Sequence, residues 1–134
     1  MKELNIEIVT PAKVAFSGKA KSITIPGTKG SFQVLFNHAP IISSFEVGFI
    51  KIEDLFGIKT NYATSGGTVE VLNNKVIVLA ESFESKEQID VRRAQEARDR
   101  AQKRIKKQSN ENEIDLTRAE YALKRAINRL KLAK

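Results

Sequence analysis

The chain has 134 residues and a hydrophobic fraction of 41%, which allows one domain or a small domain with an appended element, and no apolar run approaches the ~18 residues that a membrane-spanning helix needs. It has no cysteine and one histidine, which excludes disulfides, thiolate metal sites and imidazole clusters. The net charge of +7 arises after residue 87: up to that point 9 Lys and Arg face 9 Asp and Glu, and beyond it 14 face 7.

The first part of the chain carries a strand pattern. From residue 4 to about residue 83, apolar residues recur with a period of two or form short β-branched runs, and turn residues interrupt them regularly. Short strands at this spacing are typical of an antiparallel sandwich or barrel. The predicted strands are 4–9, 13–17, 20–26, 30–35, 41–46, 47–52, 58–63, 67–72 and 75–80.

Beyond residue 84 the apolar period changes to steps of three and four, which predicts two amphipathic helices. The polar connector 108–113 is short enough to require that they fold back antiparallel. An alanine seam buries few methylene groups, at roughly 0.8 kcal/mol each, so we expect weak docking of the hairpin. That suits a conformational switch, and it also suits a permanent pair with close backbone approach. The seam residues are Ala94, Ala97, Ala101 and Ile105, and then Ala119, Leu123, Ala126 or Ile127, and Leu130.

Each predicted helix opens with a similar segment. Residues 89–94 read IDVRRA and residues 114–119 read IDLTRA. The simplest interpretation is that Asp90 and Asp115 are N-caps or first-turn acids, which favour the helix dipole. Capping does not exclude a second role for either carboxylate.

Catalytic signatures are missing from the sequence. It contains no nucleophile elbow, no Walker phosphate loop and no HExxH. The GTKG segment at residues 27–30 lacks the spacing of a phosphate loop and predicts a hairpin turn. His38 has no acidic or nucleophilic partner beside it, which favours a turn residue hydrogen-bonded locally over a general base. We therefore predict no catalytic residue, no metal site and no enzyme activity for the isolated chain.

The arginines of the predicted helices repeat at helical spacing. If the helices fold together, several guanidinium groups converge, and their planar forks suit phosphate or carboxylate groups. The alternative is a solvated basic face. Nucleic-acid binding is less favoured, because Tyr121 is the only aromatic residue of the two helices. The arginines that share a face are Arg93 and Arg100 on the first helix, and Arg118, Arg125 and Arg129 on the second.

Three segments carry a family resemblance: IPGTKGSFQVLFNHAPII at residues 25–42, SGGTVEV at residues 65–71, and residues 76–81. Together with the two-helix tail, they resemble the epsilon subunits of bacterial F-type ATP synthases from about residue 3 to the end. The resemblance implies a flattened antiparallel β-sandwich of about ten strands in residues 1–86. It also implies a C-terminal antiparallel two-helix hairpin in residues 87–134.

The resemblance further implies a non-catalytic place in the rotor of a proton-translocating ATP synthase. In this family the sandwich binds the gamma subunit and the c-subunit ring, and by position Ser31 and His38 are candidates for the c-ring contact. The hairpin lies folded or extends to an acidic segment of the beta subunits and blocks ATP hydrolysis. The implied location is the cytoplasmic face of the bacterial inner membrane, with membrane association only through the complex.

Some members of this family bind ATP through an Ile/Leu-Asp-x-x-Arg-Ala motif, and this sequence reproduces it. The resemblance implies that arginines neutralise the triphosphate while Ile89 and Ala94 cover the base, with ATP as a regulatory ligand and no required cofactor. Two alternatives remain open: a freestanding ATP-sensing module, and a nucleic-acid-binding protein with a basic tail. The implied ATP-binding residues are Glu84, Ile89, Asp90, Arg93, Ala94, Arg100, Arg125 and Arg129.

Overall fold

The structure is a computed structural model that describes residues 2–107 and 113–134. Its contacts divide the chain into two compact units, residues 1–85 and residues 86–134. The first unit is built of strands and the second of helices.

The described part of the first unit forms ten strands in two five-stranded sheets. They are β1 (Leu4–Val9), β2 (Val14–Ala20), β3 (Ser22–Ile25), β4 (Phe32–Val34), β5 (Ile41–Phe45), β6 (Gly48–Glu53), β7 (Lys59–Thr64), β8 (Gly67–Leu72), β9 (Lys75–Ala80) and β10 (Phe83–Glu84). One sheet has the strand order β2-β1-β9-β8-β5 and the other β10-β7-β6-β3-β4. Each of the nine predicted runs overlaps one of the strands β1 to β9, and the predicted β-sandwich is confirmed.

The core of the sandwich follows from the alternation of its strands. In β8 and β9 every second side chain is buried, and Val69 pairs with Val78 while Val71 pairs with Val76. All four are at most 1% exposed. Burial of one such side chain contributes roughly 1.5–3 kcal/mol, so these aliphatic residues stabilise the unit.

One strand pair departs from the antiparallel pattern. β1 and β9 run parallel, with Asn5 aligned to Lys75 and Val9 to Leu79. Among the residues that the structure describes, every other strand pair is antiparallel. Seven strands lie between β1 and β9 along the chain, so no hairpin dictates their relative direction.

The β3–β4 hairpin is tighter than its sequence pattern indicates. The predicted run 30–35 contracts to Phe32–Val34, because Gly30 belongs to the turn, with a φ of 123°. Its backbone N–H donates to the carbonyl oxygen of Gly27 at 3.0 Å. The hairpin turn predicted at residues 27–30 is confirmed.

No sequence pattern predicts β10, which is two residues long. Phe83 aligns with Thr64 and Glu84 with Ala63, so pairing to β7 alone defines the strand. Phe83 also stacks on Tyr62 with ring centroids 4.4 Å apart. Phe83 is buried in the core of the unit, and Tyr62 packs against this core.

Gly67 marks a close backbone approach at the start of β8. Its φ is 156°, and a Cβ placed there would overlap the carbonyl oxygen of Leu79 on the neighbouring strand. Any side chain at this position would displace β9, so the turn that precedes β8 requires glycine here.

The described part of the second unit contains a 3-10 helix (Lys86–Gln88) and two α-helices, α1 (Val91–Lys106) and α2 (Glu113–Ala133). The predicted connector 108–113 lies mostly outside the described residues, and its last residue already belongs to α2. The amino group of Lys86 donates to the carbonyl oxygen of Lys134 at 3.0 Å, which brings the start of the unit to its end. The helices therefore run antiparallel, and the predicted hairpin is confirmed.

The helices meet along the predicted alanine seam. The side chains of Ala94, Ala101, Ala119 and Ala126 are at most 4% exposed. Ala101 and Ala119 border the same small cavity, so they lie at one level of the hairpin. Ala94 lies seven residues before Ala101, and Ala126 lies seven residues after Ala119, so both are two turns farther from the connector. They form the next level of the antiparallel seam.

Candidate functional site

The start of α1 carries the Ile-Asp-x-x-Arg-Ala segment. Asp90 is the N-cap residue: its backbone is extended, and its Oδ1 accepts a hydrogen bond from the backbone N–H of Arg93 at 3.1 Å. This bond satisfies one of the unpaired N–H groups of the first turn, and the charge favours the helix dipole. The capping role predicted for Asp90 is confirmed. The bond engages one carboxylate oxygen, so capping does not exclude a ligand at the other.

Asp115, the counterpart of Asp90, has a different position in its helix. α2 begins at Glu113, so Asp115 is the third helical residue. It is a first-turn acid, the second of the two predicted roles, and its charge still favours the helix dipole. The two similar segments therefore start their helices differently.

The two apolar residues among the implied ATP-binding residues, Ile89 and Ala94, are buried. Ile89 is 8% exposed and Ala94 is 3% exposed. Ala94 belongs to the helix seam, so its methyl group contributes to helix packing. An adenine base bound beside these residues would contact Ile89, which is slightly more exposed, more than Ala94.

The arginines of the candidate set lie on one side of the hairpin. Arg93 directly precedes the seam residue Ala94, and Arg125 directly precedes Ala126, at the same level of the hairpin. An antiparallel helix pair has an approximate two-fold axis, so residues with the same offset from the seam project from the same side. Arg129 lies one turn from Arg125, on the same side.

Arg100 shares this side but lies closer to the connector. It is seven residues from Arg93, which corresponds to ~10 Å along the helix. It borders a cavity of about 340 Å³ that is lined by Arg100, Ala101, Lys103, Arg104, Lys107 and Ala119. The candidate arginines thus form two levels, with Arg93, Arg125 and Arg129 at one and Arg100 at the other.

The acidic side chains of α1 are engaged by other arginines. Arg92 pairs with Glu96 at 3.2 Å, and Arg98 pairs with Asp99 at 3.3 Å. The guanidinium groups of Arg93 and Arg100 make no hydrogen bond or ion pair within the described part of the chain. The unpaired guanidinium forks of Arg93 and Arg100 are suited to an anionic ligand.

Arg125 is held by an aromatic ring, a contact that was not predicted from the sequence. Its guanidinium carbon lies 4.7 Å from the centroid of the Tyr121 ring, one helical turn before it. Arg125 and Tyr121 are both half-buried, whereas Arg93 is exposed. A tyrosine four residues before an arginine on a helix is the signal that could have indicated this contact.

The remaining member of the candidate ATP set, Glu84, belongs to the other unit. It is half-buried on β10 and aligns with Ala63 of β7. Its backbone is thus held in a sheet.

The two candidates for a c-ring contact lie at opposite ends of β4. Ser31 is exposed in the β3–β4 turn, and His38 follows the strand. The backbone N–H of His38 donates to the carbonyl oxygen of Leu35 at 3.1 Å, and its Nδ1 is 2.7 Å from the carbonyl oxygen of Ala39. The predicted local hydrogen bonding of His38 is confirmed. A single interface that includes both residues would have to extend along the whole length of β4.

The end of the sandwich near His38 also exposes apolar side chains that the sequence pattern did not single out. Phe56 is 89% exposed and Ile58 is 62% exposed. A cavity of about 570 Å³ at this end is lined by Lys2, Lys21, Leu35, Phe36, Asn37 and Leu55. Exposed apolar residues grouped with two lysines are typical of a protein contact surface.

The described residues contain no group of three or more His, Asp or Glu side chains that could hold a metal ion. Within the same residues, neither α-helix has the length and apolar character required to cross a membrane.

Two family models match consecutive parts of the chain. The model of the ATP synthase delta/epsilon chain beta-sandwich domain matches residues 3–86. The model of the ATP synthase delta/epsilon chain long alpha-helix domain matches residues 87–134.

Similar relatives are bacterial proteins named ATP synthase epsilon chain. That of Desulforamulus reducens is 42% identical over 132 residues, which cover 98% of each chain. That of Moorella thermoacetica is 39% identical and covers 99% of this chain and 98% of its own. That of Lacticaseibacillus casei is 38% identical, with 95% and 91% covered.

Two solved structures have the same fold. A chain of the Euglena gracilis mitochondrial ATP synthase, solved as an assembly of OSCP, F1 and c-ring, superposes with a TM-score of 0.78 at 22% identity, covering 92% of this chain and 77% of that one. A chain of the Tetrahymena thermophila mitochondrial ATP synthase, from the central stalk and c-ring, gives a TM-score of 0.66 at 14% identity, covering 98% and 96%.

Proposed function

The chain belongs to the family of ATP synthase delta/epsilon chains, and from this premise we propose that it is a central-stalk subunit of a bacterial F-type ATP synthase. In that role it couples ion translocation to ATP synthesis as part of the rotor. The observation that carries the proposal is the match of both family models, in order, over residues 3–134. Relatives at about 40% identity over nearly the full length of both chains support it.

The proposed role is binding and coupling, without catalysis by this chain. The implied ATP-binding residues comprise arginines, two apolar residues and the carboxylates of Glu84 and Asp90. Arginine remains protonated and so cannot serve as a general base, and the Asp90 carboxylate caps α1. We expect that the purified chain hydrolyses no ATP, and a turnover assay on repurified protein checks this. Activity that scales with the amount of this chain would contradict the proposed role.

The proposed partners are the gamma subunit and the c-subunit ring for the sandwich, and the beta subunits for an extended form of the helical unit. The exposed apolar residues Phe56 and Ile58 support a protein contact at the His38 end of the sandwich. The basic helices complement the acidic segment of the beta subunits implied by the family resemblance. Through these partners the chain would be held at the cytoplasmic face of the inner membrane.

We further propose that ATP is a regulatory ligand of the helical unit. Arg93, Arg125 and Arg129 are at one level and on one side of the hairpin, where their guanidinium groups can share one triphosphate. Arg100 extends this row toward the connector. ATP that binds only the folded hairpin would stabilise it by RT ln(1 + [L]/Kd), and so would oppose the extended, inhibitory form.

Copurification tests the rotor proposal. The tagged chain is expressed together with a gamma subunit of a bacterial ATP synthase, and a tagged unrelated β-sandwich serves as the control. We expect gamma to remain bound to the chain through gel filtration. Failure to retain gamma, together with ATP binding by the chain alone, would favour the freestanding ATP-sensing module instead.

A further inference from the structure

Tyr121 contacts an arginine of the proposed ATP site. It is the only aromatic residue after residue 87, and its ring lies under the guanidinium carbon of Arg125 at 4.7 Å from the ring centroid. The two residues are one turn apart on α2, a spacing that keeps side chains adjacent on a helix. The distance is within the ~6 Å range of a cation–π contact.

This contact leaves the binding groups of Arg125 available. The ring attracts the positive charge of the guanidinium group without supplying a carboxylate or carbonyl acceptor, and the Arg125 guanidinium makes no hydrogen bond or ion pair to another described residue. An arginine held by a ring therefore keeps its N–H fork for a phosphate. It also loses less side-chain freedom when the phosphate binds, because part of that freedom is already restricted.

The position of the pair favours a role toward the ligand. Arg125 is at the same level and on the same side of the hairpin as Arg93, whose side chain is exposed and unrestrained by any bond to the described residues. Of these two arginines, only Arg125 has an aromatic support. Because the Arg125 guanidinium is ordered before the ligand binds, it gives the phosphates a fixed point of attachment. The unrestrained Arg93 side chain can then add a second contact to the phosphates.

We infer that Tyr121 is a positioning residue that holds the Arg125 guanidinium in place for the phosphates of ATP. This inference rests on the proposed ATP site. We expect the contact between Tyr121 and Arg125 to contribute to ATP binding what a partly exposed cation–π contact is worth, about 0.5–1 kcal/mol. This corresponds to about two- to fivefold in Kd.

The test is titration calorimetry of the full chain with ATP. Tyr121→Leu removes the ring and keeps a good helix former, so we expect ATP binding about two- to fivefold weaker. Tyr121→Phe keeps the ring face, so we expect an unchanged Kd. Circular dichroism measures the helicity and the thermal melting of each variant, and so shows whether the Leu variant has lost helix packing. If it has, the Phe variant still tests the inference.

A double-mutant cycle separates positioning from a general structural effect. In the Arg125→Ala background the ring has no guanidinium to hold, so Tyr121→Leu should cause no further loss. An equal loss in both backgrounds would overturn the inference. So would a Phe variant as weak as the Leu variant.

A second probe distinguishes the phosphates from the base. Tyr121 acting through Arg125 should weaken inorganic tripolyphosphate and ATP by the same factor, whereas a ring that stacks on adenine would weaken ATP alone and would overturn the inference. If Arg125→Ala weakens ATP binding and Tyr121→Leu does not, the site stands and the positioning role is wrong. If the unmodified chain does not bind ATP at millimolar concentration, the proposed site and the inference both fail.

Discussion

The sandwich and the helical unit are stabilised by side chains of different size. The sandwich buries isoleucine and valine completely, as at Ile8 and Ile50, within two hydrogen-bonded sheets. The helical unit buries alanines along its seam, such as Ala101 and Ala119. Each alanine removes only a methyl group from water, so the same length of chain gains less free energy from burial in the hairpin. The comparison indicates that burial stabilises the sandwich more than the hairpin, and that the binding energy of a ligand of modest affinity can stabilise the folded hairpin.

The largest expected effect comes from a cavity in the sandwich. Ile8 is fully buried on β1, and Ile8→Ala should lower the free energy of unfolding by about 2–5 kcal/mol. The matched control is Ile42→Ala, because Ile42 is 77% exposed on the edge strand β5 and its truncation should cost less than about 0.5 kcal/mol. Urea denaturation measures both. Similar losses at the two sites would contradict the core described for this unit.

The next largest effect is expected on ATP binding, from replacement of the arginines that share one side of the hairpin. Replacement of Arg93, Arg125 or Arg129 by alanine should weaken ATP binding about tenfold to a hundredfold, the ~1.5–3 kcal/mol of a hydrogen bond to a charged group. Lys106 is exposed at the end of α1 and outside this level, so Lys106→Ala should change binding little. Calorimetric titration provides the comparison. Equal small losses at all four positions would indicate a diffuse basic surface in place of a site.

A smaller effect is expected at the start of α1. Asp90→Ala removes the N-cap and should destabilise the helix by about 0.5–2 kcal/mol, whereas Asp90→Ser retains a capping oxygen. Hydrogen exchange of the first-turn amides reports the change directly, and the Arg93 amide should lose protection first. If serine and alanine have the same effect, the contribution of Asp90 is its charge and not its hydrogen bond.

The smallest expected effect on the sandwich follows removal of the helices. Deletion of residues 88–134 should leave a cooperatively folded sandwich that still binds gamma, because every strand in the described part of the chain precedes this point. Only regulation of ATP hydrolysis should be lost. Circular dichroism and copurification with gamma measure the two properties. An unfolded fragment would show that the sandwich depends on the helices.

Local patterns predict most of the fold and the composition of the site. Alternation and turn residues predict nine of the ten strands, and the three- and four-residue steps predict both helices, because these periods depend on neighbours close in the chain. β10 is too short to show a period. The cation–π contact of Tyr121 with Arg125 could have been read from the spacing, whereas the level shared by Arg93 and Arg125 depends on how the helices align.

The sequence by itself determined the class of fold, an acidic residue at the start of each helix, and the family to which the chain belongs, since each depends on residue types in a fixed order. The tertiary structure alone decided that β1 lies parallel to β9. It also decided that Arg93 and Arg125 share one level of the hairpin. These are relations between segments distant along the chain, and burial of the whole core and seam selects them, which no short stretch of sequence encodes.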